Sequence, residues 1–112
     1  MYMISFYVPE SHCETVMQAM FSNGAGRLGN YDSCAWVTLG KGQFRPLQGS
    51  QPFLGRPGTL SRVDEYKVEL VCGDEVIQDV LLALKKSHPY EEPAYHALKL
   101  ITLDDLIDRH EN

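Results

Sequence analysis

The order in which strand-like and helix-like segments alternate constrains this chain more than any other feature. Residues 2–8 alternate between apolar and other side chains, which predicts a half-buried strand that Pro9 ends. A helix is predicted next, beginning with a capping box at Ser11 and Glu14 and ending at Gly24. Its buried face is predicted from apolar residues at i, i+3, i+4 and i+7, namely Cys13, Val16, Met17 and Met20.

The remaining segments complete the order strand, helix, strand, strand, helix, strand. Residues 33–39 and 59–72 are rich in residues that favour strands, and residues 94–101 alternate in character. A second helix is predicted before residue 88, with Asp74 as its cap and a lysine pair at its end. With right-handed crossovers, this order predicts an α+β, ferredoxin-like βαββαβ fold: a four-stranded antiparallel sheet with two helices on one face.

A long connection separates the second and third predicted strands. Residues 40–58 are rich in glycine and proline and also carry Phe44, Arg45 and Phe53. A loop of this length in a small domain is either functional or folded on itself as the tip of an extended hairpin. The aromatic side chains predict that it docks, on this chain or on a neighbouring one. A short helical turn at residues 103–107 and frayed residues 108–112 are expected after the last strand.

Length and composition predict a single domain, residues 1–112, and exclude several classes of function. The chain has 44% hydrophobic and 22% charged residues, as in an ordinary globular protein. Its net charge of -5 argues against broad binding to nucleic acid or to an anionic membrane. No apolar run is long enough to span a membrane. Three scattered cysteines and a start without signal-peptide features predict reduced thiols and a cytoplasmic location.

The segment of residues 88–96, HPYEEPAYH, concentrates more titratable and aromatic side chains than any other stretch. Its prolines bias the residues before them towards extended geometry, so it is predicted to join a helix to a strand. Imidazole and carboxylate groups suit a divalent metal ion, and the candidate ligands are His88, Glu91, Glu92 and His96. Adjacent side chains in an extended chain leave opposite faces, which favours the alternative that His88 and Tyr90 bind the helix end.

A small-ligand site is the second prediction for the same region. If the long hairpin loop folds back, it brings aromatic and polar side chains to residues 88–96 and forms a cleft. The candidate ligand-binding residues are Arg27, Asn30, Tyr31, Phe44, Arg45, Tyr90, Glu91 and Glu92. Interfaces between subunits are enriched in the same residue types, so part of this set is assigned to an interface. Pairing of Glu91 or Glu92 with Arg27 or Arg45 is the alternative to metal coordination.

Four ordered motifs resemble one protein family. They are GRLGNYD at residues 26–32, GQFRPL at 42–47, QPFLG at 51–55 and HPYEEPAY at 88–95. Together they are similar to the domain inserted in bacterial members of the NIF-three-like family (NGG-interacting factor three, YqfO). The resemblance spans nearly the whole chain. It implies a CutA-like, PII-like variant of the ferredoxin-like fold and assembly as a trimer or dimer.

In that family the metal-dependent hydrolase-like activity belongs to larger flanking domains, and the insert alone accounts for 112 residues. The resemblance therefore implies a stand-alone, non-enzymatic, self-associating domain that binds a metal ion or small ligand near residues 88–96. The alternative is an interaction or regulatory module for a separate NIF-three-like metal-dependent hydrolase-like protein. A third hypothesis is enzymatic and uses Glu91 or Glu92 as general base and His88 as acid. A divalent metal ion is the one cofactor expected.

Overall fold

The computed structural model describes residues 1–108. Its strands are β1 (Tyr2–Pro9), β2 (Trp36–Phe44), β3 (Ser61–Cys72) and β4 (Tyr95–Lys99), and its helices are α1 (Glu10–Ser22), α2 (Ile77–Ser87) and α3 (Leu103–Asp108). The strands form one sheet in the order β2-β3-β1-β4, and each neighbouring pair is antiparallel. The predicted α+β, ferredoxin-like arrangement is confirmed, with α3 as a short addition after β4.

The core lies between one face of the sheet and helices α1 and α2. On β1 the alternation places Ile4, Phe6 and Val8 on this face, and all three are completely buried. Helix α1 contributes the four residues predicted from its periodicity, and α2 contributes Val80 and Leu84. Both helices therefore cover the same face, as predicted, and the side chains of the other sheet face are free to build a site.

The beginning of α1 differs from the prediction, whereas its end agrees. The helix starts at Glu10 and no side chain caps it; Ser11 Oγ instead contacts His12 Nδ1 at 2.8 Å. The predicted capping box is wrong because the N-cap position is Pro9, two residues before Ser11, so that Ser11 lies inside the first turn. The predicted end is confirmed, since Gly24 has a φ of 104° and its N–H donates to the Phe21 carbonyl at 3.0 Å.

The predicted cap of α2 is also wrong. The helix begins at Ile77, and its N-cap position is Val76 without a side-chain cap. Asp74 lies further from the helix and forms ion pairs with the amino group of Met1 and with Lys99 Nζ. The helix starts later than predicted, and the carboxylate that was expected to cap it is held at the end of β4 instead.

The β2–β3 hairpin is longer than the sequence predicted. Strand β2 continues to Phe44, since Gly40 and Gly42 still pair with β3, and the connection covers residues 45–60. Glycine is depleted in strands, which made this part resemble a loop, but the backbones of both glycines keep the pairing with β3. The hairpin makes the molecule elongated, with a longest extent of 58 Å and a radius of gyration of 16.3 Å. A compact chain of this length has a radius of about 13 Å.

Several smaller predictions can be compared with the described residues. Strand β4 is shorter than the predicted residues 94–101, and the predicted turn near residue 103 is present as α3. The predicted fraying at the chain end falls mainly on residues 109–112, which lie outside the described residues. All three cysteines are free thiols; Cys13 and Cys72 are buried, and burial raises the pKa of both. Within residues 1–108, no helix has the length and apolar character needed to cross a membrane.

Candidate functional site

His88 anchors the HPYEEPAYH segment to the sheet. It is the C-cap residue of α2, and only 6% of its surface is exposed. Its Nε2 donates to the Tyr7 carbonyl at 2.7 Å, and its Nδ1 accepts a hydrogen bond from the Tyr90 N–H at 3.1 Å. These two contacts select the neutral imidazole with its proton on Nε2. Burial lowers the pKa of His88, against the opposite influences of the Tyr7 carbonyl and the Glu65 carboxylate.

The predicted metal ligands are not brought together within one copy of the chain. Both ring nitrogens of His88 are occupied by backbone groups, and Glu91 Oε1 accepts a hydrogen bond from the Gln51 N–H at 2.8 Å. Glu92 and His96 are exposed. In the part of the chain that is described, no group of three or more His, Cys, Asp or Glu side chains is placed to hold a metal ion. Binding of a divalent metal ion stays a prediction.

The hydrogen bonds of His88 and Glu91 also bear on two other roles predicted for residues 88–96, the organisation of the helix end and acid–base catalysis. The alternative in which His88 and Tyr90 organise the helix end agrees with the observed hydrogen bonds. An acid–base pair of Glu91 and His88 is not supported, because both side chains are engaged with backbone groups elsewhere. Among residues 1–108, no ion pair joins Glu91 or Glu92 to an arginine.

Glu65 is a central residue of the site that the sequence did not indicate. It lies on β3, on the sheet face opposite the core, yet only 9% of it is exposed. The Tyr90 hydroxyl donates to Glu65 Oε2 at 2.7 Å. Burial and the adjacent carboxylate raise the pKa of Tyr90 far above its usual value, so the phenol remains a donor. A charged residue in an alternating strand is normally exposed, and no local signal marked this one as buried.

Gly42 provides the space that the Glu65 side chain occupies. A Cβ atom added at Gly42 would lie 1.7 Å from Glu65 Oε1 and 2.5 Å from its Cδ. Any larger residue at position 42 therefore displaces the carboxylate. By contrast, a Cβ atom at Gly40, on the same strand, would meet nothing within 4 Å.

An aromatic cluster joins the hairpin to the HPYEEPAYH segment. The Tyr90 ring lies 6.1 Å from Phe44 and 6.3 Å from Phe53, measured between ring centroids. Phe53 also meets the His12 ring edge-on at 5.3 Å, a contact that the sequence did not predict. Residues 45–60 therefore dock on their own chain, which was one of the two predicted alternatives.

These elements line a half-open cavity of about 800 Å³, a size typical of small-molecule sites. Most of its lining surface is apolar. Its walls come from β2, β3, residues 45–60 and the HPYEEPAYH segment. The predicted ligand-binding residues that line it are Phe44, Arg45, Tyr90, Glu91 and Glu92, and Glu65 and Lys67 line it as well.

The other three predicted ligand-binding residues lie elsewhere. Arg27, Asn30 and Tyr31 line a separate cleft of about 330 Å³. The backbones of Leu28 and Tyr31 exchange two hydrogen bonds of 2.9 Å each, which closes a tight turn between them. The predicted set is thus divided between two places, and a role of these three residues in binding stays a prediction.

The chain is similar to two groups of known proteins, NIF3-related proteins and CutA proteins. No protein-family model matches the chain. A GTP cyclohydrolase 1 type 2 homolog of Halalkalibacterium halodurans is 41% identical over 95 residues, covering 85% of this chain and 26% of the relative. The solved structure of a Bacillus cereus protein related to NIF3 is 34% identical with a TM-score of 0.77, covering 90% of this chain and 26% of that one. The structure of CutA1 from Pyrococcus horikoshii is 15% identical with a TM-score of 0.66, and the match covers 96% of this chain and 92% of CutA1.

The chain therefore spans about a quarter of the length of the curated relatives it matches. Its similarity to a segment of NIF3-related proteins is confirmed in sequence and in structure. The likeness to CutA1 extends over nearly the whole of both chains, but at 15% identity it shows the fold alone. Existence of the chain as a stand-alone domain stays a prediction.

Proposed function

We propose that this chain is a non-enzymatic domain that associates with copies of itself through β2 and binds a small ligand in the cavity beside residues 88–96. The observation that carries the proposal is the exposure of β2. This strand lies at the edge of the sheet, and seven of its nine residues are exposed. Three apolar side chains remain largely accessible: Trp36 at 69%, Leu39 at 60% and Val37 at 40%.

An edge of this kind favours pairing with a second copy. Its nine residues span roughly 30 Å, which is longer than the average strand. Natural edge strands are usually protected by charges, prolines or bulges. In β2 the one charged residue is Lys41, and its amino group already pairs with Asp64 of β3. Association that covers β2 buries the apolar side chains and supplies partners to its free backbone groups, in a dimer or in a trimer.

Replacement of Leu39 by lysine tests this proposal. Burial of a leucine side chain contributes about 1.5–3 kcal/mol, and the variant also places a charge in the interface. We expect light scattering to show a dimer or trimer for the unmodified chain and a monomer for Leu39→Lys. Trp36 is the one tryptophan of the sequence, so its fluorescence reports directly on coverage of β2.

Leu82→Lys is the matched control, because Leu82 is 58% exposed but lies on α2. This variant is expected to retain the assembly. A strictly monomeric unmodified chain contradicts self-association. Equal dissociation of both variants contradicts the assignment of the interface to β2.

A second candidate function is an interaction or regulatory module for a NIF-three-like, metal-dependent hydrolase-like protein. The coverage of the relatives favours it, since the similar segment forms only 26% of the Halalkalibacterium halodurans protein. In this role the domain acts on the part of such a protein that the segment does not include. A tagged chain that retains a NIF-three-like protein from native lysate supports this candidate, whereas self-association alone predicts retention of its own copies.

A further inference from the structure

One oxygen of the Glu65 carboxylate faces the cavity without a partner. Oε2 accepts the hydrogen bond from Tyr90, but Oε1 accepts none from the residues that the structure describes. Within residues 1–108, every fully enclosed side-chain nitrogen or oxygen has a hydrogen-bond partner. Oε1 is therefore reachable from the cavity that Glu65 lines. Water can therefore solvate Oε1 in the ligand-free protein, and a ligand that enters the cavity must replace that water with a donor of its own.

No side chain at position 42 covers Oε1. Gly42 lies directly beside this oxygen, and a donor reaches it from the cavity that both residues line. Tyr90 already donates to the other oxygen, and its raised pKa keeps the phenol protonated and uncharged. Lys67 lies two residues further along the same face of β3, yet no ion pair joins it to Glu65. Among the residues that the structure describes, the charge of Glu65 thus has no cationic partner.

The aromatic rings of the cavity suit a cation with an apolar body. The Phe44 and Phe53 rings each lie near the Tyr90 ring, which contacts Glu65, and these residues line the cavity together. The faces of such rings attract ammonium and guanidinium groups, more strongly where water is excluded. A carboxylate accepts hydrogen bonds and donates none, so the ligand group at Oε1 must carry N–H or O–H hydrogens.

We propose that this cavity binds a small organic cation, an ammonium or amidinium compound with an apolar body, whose N–H donates to Glu65 Oε1. The apolar part packs against Phe44 and Phe53. This inference rests on the proposed ligand-binding function of the cavity, and it adds the chemical class of the ligand.

Calorimetric titration of the full chain with three probes that share one phenethyl group tests the inference. Phenethylamine carries the cation, phenethyl alcohol is its neutral counterpart, and hydrocinnamate is its anionic counterpart. The alcohol can also donate to the carboxylate, but only the ammonium carries the opposite charge and gains the electrostatic attraction, so we expect the amine to bind about tenfold more tightly than the alcohol. Hydrocinnamate is expected to bind most weakly. This comparison uses the unmodified protein and depends on no variant.

Two variants then locate the effect. Glu65→Gln keeps the shape of the side chain and an oxygen that accepts from Tyr90, but it removes the charge. Glu69→Gln is the control, since Glu69 lies on the same strand and face but does not line the cavity. We expect Glu65→Gln to abolish the preference for the amine and Glu69→Gln to retain it.

The outcomes separate the inference from the proposed function. Equal or tighter binding of the alcohol or of hydrocinnamate overturns the cationic ligand class but leaves the cavity as a ligand site. Amine binding that Glu65→Gln does not weaken also overturns the inference. Failure of all three probes to bind the unmodified chain contradicts the cavity as a site for small ligands of this kind, while self-association through β2 is judged separately by light scattering.

Discussion

Replacement of Gly42 by alanine is expected to destabilise the protein by displacing the Glu65 carboxylate. The added Cβ atom would lie 1.7 Å from Glu65 Oε1, far inside the contact distance of two heavy atoms. The atoms it meets belong to the end of a flexible side chain, so the fold accommodates the methyl group by rotating Glu65 away. That rotation breaks the 2.7 Å hydrogen bond from Tyr90.

The magnitude follows from two opposing effects. Loss of a hydrogen bond to a charged group costs about 1.5–3 kcal/mol. Alanine leaves the unfolded chain fewer conformations than glycine does, which raises the free energy of unfolding by roughly 0.4–1 kcal/mol. The larger effect wins, so the free energy of unfolding should fall by about 1–2 kcal/mol. At Gly40 an added Cβ atom meets nothing within 4 Å. Gly40→Ala should therefore show only the stabilisation that comes from restricting the unfolded chain.

Urea unfolding of Gly42→Ala, Gly40→Ala and the unmodified chain measures this difference. All three should be compared at one protein concentration, since self-association makes apparent stability depend on concentration. We expect a lower midpoint for Gly42→Ala at an unchanged m value, and an equal or higher midpoint for Gly40→Ala. An NMR titration should also show the pKa of Tyr90 moving back towards its usual value in Gly42→Ala. Equal stability of the two alanine variants refutes the reasoning.

Two further predictions concern titration. Burial lowers the pKa of His88 in the folded protein. As pH falls below about 6.5, His88 therefore binds a proton in the unfolded chain before it does so in the folded protein, and the free energy of unfolding should decrease. His88→Gln should flatten that dependence while His96→Gln retains it; an unchanged slope in His88→Gln would show that another group is responsible. Hydrogen bonds from Lys99 and from the amino group of Met1 lower the pKa of Asp74, and Lys99→Gln should raise it in a carboxyl NMR titration. Lys85→Gln is the control, and an Asp74 pKa that does not respond to Lys99→Gln contradicts the assigned cause.

The order of elements and the core followed from the sequence because they depend on local periodicity. Period-two alternation identified the buried face of β1, and the 3.6-residue period identified the buried face of α1. The two predicted helix caps were wrong because each cap residue has another position or another partner in the structure. Ser11 had a cap motif but lies within the first helical turn, and Asp74 binds Lys99 instead of the helix.

The site was only partly visible in the sequence. The HPYEEPAYH segment and Phe44 were identified because their residue types stand out in one short stretch or motif. Glu65 and Gly42 were not, since a charged strand residue and a glycine in an apparent loop each have an ordinary local explanation. Arg27 lies in another of the four motifs and was predicted to join the cavity residues, but the fold places it in a separate cleft.

Sequence periodicity determined which residues this chain buries and in what order its strands and helices follow. The tertiary structure alone decided that Gly42, Glu65 and Tyr90 meet. Glu65 and Tyr90 are separated by 25 positions along the chain, and their contact depends on the β1–β3 register and on the bond from His88 to Tyr7, whereas the β2–β3 register places Gly42 beside Glu65. Such contacts leave no local pattern, because a side chain gains nothing from a distant partner until the sheet register has brought the two together.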